Sequence, residues 1–229
     1  MRQRPGRAYR PGRCQNRDGA IDFFARCWHM PAMTGCDPQS EDAAGTQLQA
    51  PISRIFLIGP MGAGKTTIGR HLAAMLGMDF CDSDQEIEAR TGAGIPLIFE
   101  IEGESGFRRR EEAVIADLVT RPNLVLATGG GVILSEANRE VLRQNGIVVY
   151  LRAAADILVE RTRRDRCRPL LLQSDNPRGK IEELMRVRDP LYRSTAHVTV
   201  DTDRRSPAAV ARDVVAKLKS EKGNEDAGC

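Results

Sequence analysis

The sequence predicts a three-layer α/β fold, a parallel sheet covered by helices on both faces, and three observations carry that expectation. An apolar run, Ile55 to Ile58, leads through a glycine-rich turn into Lys65 to Leu76, where apolar residues recur at helical spacing. The same alternation of short apolar runs and helical patterns continues to Lys219. Runs such as Ile147-Val148-Val149-Tyr150-Leu151 are apolar at every position, as strands buried on both faces of a parallel sheet are.

Taken in order, strands are expected at Ile55 to Ile58, Phe80 to Asp82, Leu124 to Ala127, Ile147 to Leu151 and Val198 to Val200. Helices are expected between and after them, at Lys65 to Leu76, Asp84 to Thr91, Gly106 to Val119, Ala137 to Gln144, Ala155 to Arg164, Lys180 to Arg188 and Pro207 to Lys219. No internal repeat or low-complexity segment interrupts this order. The chain therefore divides into a poorly ordered extension over residues 1–50, a folded unit over 51–220 and a frayed tail over 221–229.

A chain of 229 residues, 41% hydrophobic and 28% charged, is long enough for one globular domain with some excess. The net charge of +3 is small, and the part from Pro51 onward is nearly neutral, so no basic face for nucleic acid is expected. Six scattered cysteines, Cys14, Cys27, Cys36, Cys81, Cys167 and Cys229, lack the short paired spacing of a zinc site and suit a reducing cytoplasm. No apolar stretch approaches the length of a bilayer span, and no apolar block of a secretory signal opens the chain.

Residues 1–50 differ from the rest: they hold seven arginines, no lysine and the only tryptophan, Trp28, without sustained periodicity. Three readings compete, in this order. The stretch follows from an upstream start, with Met30 or Met33 as the initiator; it is an Arg-rich targeting segment; or Cys14, Cys27, His29 and Cys36 form a small metal site. The acidic residues Asp18, Asp22, Asp37, Glu41 and Asp42 weigh against targeting and against a nucleic-acid-binding arm.

The turn after the first strand, Gly59-Pro60-Met61-Gly62-Ala63-Gly64-Lys65-Thr66, has the spacing of a phosphate-binding loop. Glycines let backbone N–H groups wrap a phosphate chain, and the following helix directs its positive end at the same anion. Lys65 supplies a compact charge for the β- and γ-phosphates, and Thr66 a hydroxyl suited to Mg²⁺, so a nucleoside triphosphate with Mg²⁺ is the expected ligand. A plain glycine turn with a surface lysine is the competing reading, and eight specified positions in a strand-to-helix setting outweigh it.

Three further constellations narrow the chemistry. Asp82-Ser83-Asp84 closes the second strand, where an open parallel sheet puts its ligands, and alternation along an extended segment would turn both carboxylates to one site. A helix cap at Asp84 is the competing reading. Thr128-Gly129-Gly130-Gly131 closes the third strand, and three glycines there imply a close backbone approach or, equally, a flexible turn. No Walker B carboxylate ends that strand and no Asn-Lys-x-Asp motif occurs, which argues against motor ATPases and GTP switches. Arginines at 108, 109, 110, 161, 168 and 188 could capture carboxylate or phosphate, and Arg168 stands out because it opens the polar stretch Gln173 to Gly179, of the kind that forms a lid.

Together these motifs resemble the shikimate kinase family across roughly residues 52–219. The likeness rests on the loop at 59–66, Asp-Ser-Asp at 82–84, Phe-Arg-Arg-Arg-Glu-Glu at 107–112, the glycines at 129–131, Arg-Pro-Leu-Leu at 168–171 and Arg-Asp-Pro-Leu-Tyr at 188–192. It implies a P-loop kinase fold with strand order 2-3-1-4-5, and transfer of the γ-phosphoryl of ATP to the 3-hydroxyl of shikimate in the chorismate pathway. On this resemblance Gly62, Ala63, Gly64, Lys65, Thr66 and Thr67 bind the phosphates, and Thr66 with Asp82 holds Mg²⁺. Asp84 faces the acceptor hydroxyls as base or orienting group. Arg108 and Arg188 take the acceptor carboxylate, Glu111 orients Arg108, Gly129 to Gly131 contact ring hydroxyls, and Phe99 and Phe107 form an apolar wall. Arg168 swings in with the lid, Arg161 and Pro207 sandwich adenine, and Arg205 sits beside it. The family also implies a monomer. A gluconate-type kinase would share the loop but lack the paired aspartates with Arg108 and Arg188, and a non-catalytic nucleotide-binding regulator would have no use for an acceptor clamp.

Overall fold

The computed structural model describes residues 53–162 and 176–225; the sequence readings for residues 1–50, for Arg168 and for the stretch around it lie outside the described residues. Five strands form, β1 Arg54–Ile58, β2 Asp79–Asp82, β3 Leu124–Ala127, β4 Ile147–Arg152 and β5 Val198–Asp201, and the mostly apolar runs are β1, β3 and β4. They pair in parallel in the order β2-β3-β1-β4-β5, as the resemblance implies. β1 lies between β3 and β4, with Leu57 opposite Ala127 and Val149. Consecutive β1 residues face opposite sides of the sheet. Phe56 and Ile58 join one core layer with Ile87, Ile115, Leu126 and Tyr150, while Ile55 and Leu57 join the other with Leu72, Val125, Val149 and Val214.

The helices α1 Lys65–Leu76, α2 Ser83–Thr91, α3 Ile95–Leu118, α4 Glu136–Asn145, α5 Ala155–Thr162, α6 Pro177–Thr195 and α7 Pro207–Glu225 cover these layers. A short 3₁₀ turn, Val132–Leu134, follows β3. α1 can press against the sheet because Gly69 lacks a side chain; a β-carbon there would stand 2.6 Å from the Phe80 ring. Burying each large apolar side chain contributes roughly 1.5–3 kcal/mol, so the two layers, not helix propensity, hold the strand ends where the site forms.

The helix boundaries depart most from the sequence reading in four helices. α2 starts at Ser83 and is capped by Asp82, whose carboxylate accepts from the Asp84 N–H at 3.0 Å; the cap expected at Asp84 sits two residues earlier. Asp84 therefore lies in the first helical turn, not on an extended segment. α3 begins at Ile95, eleven residues before Gly106, and is broken at Gly103 (φ 70°, ψ −178°), a conformation that favours glycine. α6 runs past Pro190 to Thr195, and α7 runs to Glu225, beyond the Glu221 at which the tail was expected to begin.

Candidate active site

The phosphate loop folds as its glycines predict. Gly59, Gly62 and Gly64 have φ of 143°, 82° and 91°, and a β-carbon on Gly59 would stand 2.5 Å from the Leu151 carbonyl oxygen. Gly64 leads directly into α1, so the first amides of that helix open toward the loop. Lys65 is 9% exposed, and its Nζ donates to the carbonyls of Gly59 at 2.8 Å and Pro60 at 2.9 Å. Its charge is thus held inside the loop. Thr66 Oγ1 donates to Asp82 Oδ2 at 2.6 Å, which joins the start of α1 to the end of β2. Thr67 is exposed on the first turn of α1 and lines a cleft with Thr66, Arg70 and His71.

The second half of the site assembles around the three glycines after β3. The Gly129 N–H donates to Ser83 Oγ at 3.0 Å, and Thr128 Oγ1 donates to the Leu57 carbonyl at 3.0 Å. A β-carbon on Gly129 would stand 2.8 Å from both Asp84 Oδ1 and Glu111 Oε1. On Gly131 it would stand 2.4 Å from the Arg108 guanidinium, and on Gly130 it would stand 3.4 Å from the Met61 N. The glycines at 129 and 131 are therefore there for close approach, and the flexible-turn reading gives way at those two positions. Asp84, Glu111 and Arg108 all close on one backbone turn that itself packs against the phosphate loop. Arg188 joins from α6, its Nη1 donating to the Gly130 carbonyl at 3.4 Å.

Helical phase selects among the three consecutive arginines. Arg108 lies three residues before Glu111, and its Nη1 donates to Glu111 Oε2 at 2.7 Å while Nη2 donates to Glu104 Oε1 at 3.1 Å. Arg110 turns outward to Glu102, at 2.6 and 2.8 Å, and Arg109 is exposed. The Arg108 guanidinium lies over the Phe107 ring at 5.3 Å, and Phe107 packs on Phe99 with centroids 4.7 Å apart. The apolar wall and the cation are thus one unit.

Burial pulls the Arg108 pKa down, but Glu111 and Glu104 more than offset it, so the guanidinium stands above its ordinary value. At Glu111, 1% exposed, the balance reverses: burial raises the carboxyl pKa, Arg108 opposes this, and the nearby Asp84 charge adds to the rise. A carboxyl with a raised native pKa binds more protons folded than unfolded. Its contribution to stability is present at low pH and is lost as pH rises from the unfolded value through the folded one. Glu111→Gln removes that proton binding. The difference in unfolding free energy, wild type minus Glu111→Gln, is expected to fall as pH rises from about 4.5 upward and then to level off. Urea unfolding at a series of pH values measures it, and a difference that rises with pH would contradict the assignment.

The residues expected at adenine lie on the other side of the loop. Arg161 Nη1 donates to the Gly62 carbonyl at 3.2 Å and to Thr202 Oγ1 at 3.1 Å, and Nη2 donates to the Thr202 carbonyl at 2.8 Å. It thereby bridges the phosphate loop and the end of β5, from which the chain passes to Arg205 and Pro207. Arg205 Nη1 donates to Asp213 Oδ2 at 3.0 Å, and Pro207 is the first residue of α7. Two participants went unassigned from sequence: Ser83, which ties Gly129 to α2, and Tyr192, whose hydroxyl donates to the Gly130 carbonyl. Both stand inside motifs that drew attention for other residues, and their signal is tertiary.

A parallel sheet with its phosphate loop at the centre, and beside that loop a cluster of carboxylates and arginines closed on a glycine turn, defines a P-loop kinase acting on a small acidic acceptor. The family model for shikimate kinase matches residues 61–219. The chain belongs to the shikimate kinase family. It is 62% identical over 169 residues to shikimate kinase of Thiobacillus denitrificans, an alignment covering 74% of this chain and 92% of the relative. Among solved structures, shikimate kinase from Acinetobacter baumannii in complex with shikimate is 52% identical, with a TM-score of 0.73, covering 75% of this chain and 96% of that one. Shikimate kinase from Aquifex aeolicus is 33% identical with a TM-score of 0.66, covering 74% and 98%.

Proposed function

We propose that the chain transfers the γ-phosphoryl group of ATP to the 3-hydroxyl of shikimate, giving shikimate 3-phosphate and ADP, in the chorismate route to aromatic amino acids. The observation that carries this reading is the closure of Asp84, Glu111, Arg108 and Arg188 on Gly129–Gly131, directly against the phosphate loop. Only an acceptor that offers a carboxylate to two arginines and hydroxyls to an aspartate uses all of these groups. A gluconate-type acceptor leaves the pairing of Arg108 with Arg188 unexplained, and a non-catalytic regulator leaves the whole clamp unexplained.

The residues then divide the work. Gly62, Ala63, Gly64 and Thr67 wrap the phosphates, and Lys65 exchanges its two loop carbonyls for β- and γ-phosphate oxygens, in a setting where low exposure strengthens the interaction. Thr66 and Asp82 present oxygen atoms 2.6 Å apart, the hard ligands that Mg²⁺ favours, and are the residues that would hold it. Bound Mg²⁺ neutralises charge on the phosphates. Asp84 orients the 3-hydroxyl and accepts its proton as the bond to phosphorus forms. Arg108, fixed by Glu111, and Arg188 clamp the carboxylate, while Phe99 and Phe107 wall the ring. Arg161 and Pro207 enclose adenine with Arg205 beside it, and Arg168, outside the described residues, completes the charge stabilisation.

Residues 51–220 are proposed as the catalytic unit, working as a cytoplasmic monomer, with residues 1–50 as an added extension. Among the described residues no helix is long and apolar enough to cross a membrane. The product tests the chemistry: proton-coupled phosphorus NMR should show a phosphate ester at C3 of shikimate, formed only with Mg²⁺ added. Ester at another carbon would overturn the assigned acceptor geometry, and metal-independent turnover would overturn the roles of Thr66 and Asp82. Sedimentation equilibrium checks the monomer.

A further inference from the structure

Tyr192 closes the Arg-Asp-Pro-Leu-Tyr motif and is fully buried in α6. Its hydroxyl donates to the Gly130 carbonyl, which also accepts from Arg188. Its ring stacks on Tyr150 of β4, with centroids 5.0 Å apart and planes 19° from parallel. The Tyr150 hydroxyl in turn donates to Asp189 Oδ1 at 2.7 Å, and Asp189 Oδ2 accepts from Arg193 Nε at 2.6 Å. Arg188 is therefore followed within one helical turn by two residues, Asp189 and Tyr192, that are bound to the sheet and to the glycine turn.

The local backbone needs such help on both sides. Pro190 lies inside α6 and has no N–H, so the Arg186 carbonyl loses its helical donor and the turn bearing Arg188 is weakened. Gly130 has no side chain to hold it and wide conformational freedom. A trans peptide is planar, so the direction of the Gly130 carbonyl fixes that of the Gly131 N–H, which points the opposite way. Burial raises the pKa of both phenols, with Arg188 pulling Tyr192 the other way, so both hydroxyls remain donors at any working pH.

We propose that Tyr192 is a positioning residue for the acceptor site: its buried hydroxyl, acting through the Gly130 carbonyl, sets the Gly130–Gly131 peptide plane and keeps it in register with Arg188. The inference rests on the reading of Arg188 and Gly129–Gly131 as acceptor contacts. Removing the hydroxyl leaves the ring and its stack on Tyr150 in place but leaves the Gly130 carbonyl with only the longer, 3.4 Å contact from Arg188. The loss should therefore appear in shikimate binding and not at the nucleotide.

The test compares three variants of the full chain, Tyr192→Phe, Arg188→Ala and Thr195→Val, by KM for shikimate, KM for ATP and thermal melting. Thr195 serves as the control: it is 1% exposed, and its Oγ1 donates to the Leu191 carbonyl at 2.7 Å in the same helix, so Thr195→Val also deletes a buried hydroxyl. Tyr192→Phe is expected to raise the shikimate KM about tenfold, the equivalent of one buried hydrogen bond, with the ATP KM within about twofold of wild type. Thr195→Val should lower the melting temperature but leave both KM values unchanged. If Arg188→Ala weakens shikimate and Tyr192→Phe does not, the role of Tyr192 is overturned while the clamp stands. Equal rises in both KM values for Tyr192→Phe, or a shikimate effect as large in Thr195→Val, would mark general loosening and overturn it too. Unchanged shikimate KM in both Arg188→Ala and Tyr192→Phe would overturn the clamp and the inference together.

Discussion

Lys65→Met is expected to lower kcat by about 10³-fold or more while the protein still folds. The methionine keeps most of the buried stem but removes the one charge that the loop encloses at its centre, 2.8–2.9 Å from the Gly59 and Pro60 carbonyls. In phosphoryl transfer the protein does little covalent chemistry, so rate comes from positioning and from stabilising charge on the migrating group. A cation nine-tenths shielded from water does this far better than an exposed one. Deleting it also removes the cost of burying an ammonium group, which offsets the two lost hydrogen bonds, and the melting temperature should shift by only a few degrees. Steady-state kinetics beside a melting curve checks both parts; turnover within about tenfold of wild type would remove Lys65 from the centre of the mechanism.

Asp84→Asn should lower kcat by about 10²- to 10⁴-fold, with the KM for ATP unchanged. The amide has nearly the size of the carboxylate, so the packing of residue 84 against Gly129, where a β-carbon would stand 2.8 Å from Oδ1, is preserved. What changes is the capacity to accept the proton of the attacking hydroxyl and to draw that hydroxyl into line. If the loss appears in kcat alone, Asp84 acts on the transition state; if only the shikimate KM rises, it is a binding group and the proton goes elsewhere. A variant with unchanged kcat and KM would take Asp84 out of the site.

The parts of the fold that sequence made legible are those in which local pattern and final environment agree. β1, the phosphate loop and α1 are read correctly because continuous apolarity, left-handed glycines and helical spacing all point the same way. The missed boundaries have tertiary causes. α3 begins eleven residues early because its first segment is separated by the break at Gly103, across which no period carries. α6 crosses Pro190, against the usual stop, because Arg193, Thr195 and Tyr192 tie the far side through Asp189, the Leu191 carbonyl and the Gly130 carbonyl. In the site, the type of each group was legible, and so was Glu111 as the partner of Arg108, but most other partners were not. Three adjacent arginines look alike in sequence, and only the inward phase of Arg108, shared with buried Glu111, separates it from Arg109 and Arg110. Ser83 stayed hidden between two aspartates, since its role depends on Gly129, forty-six residues away.

The central claim, that the pocket beside the phosphate loop takes shikimate as phosphoryl acceptor, is tested most directly by ADP release from ATP and Mg²⁺ with shikimate, quinate, gluconate or no acceptor. The account predicts rapid release with shikimate and only background release with the other three. Release driven by gluconate or quinate, or none with shikimate from folded protein that binds ATP, would contradict it.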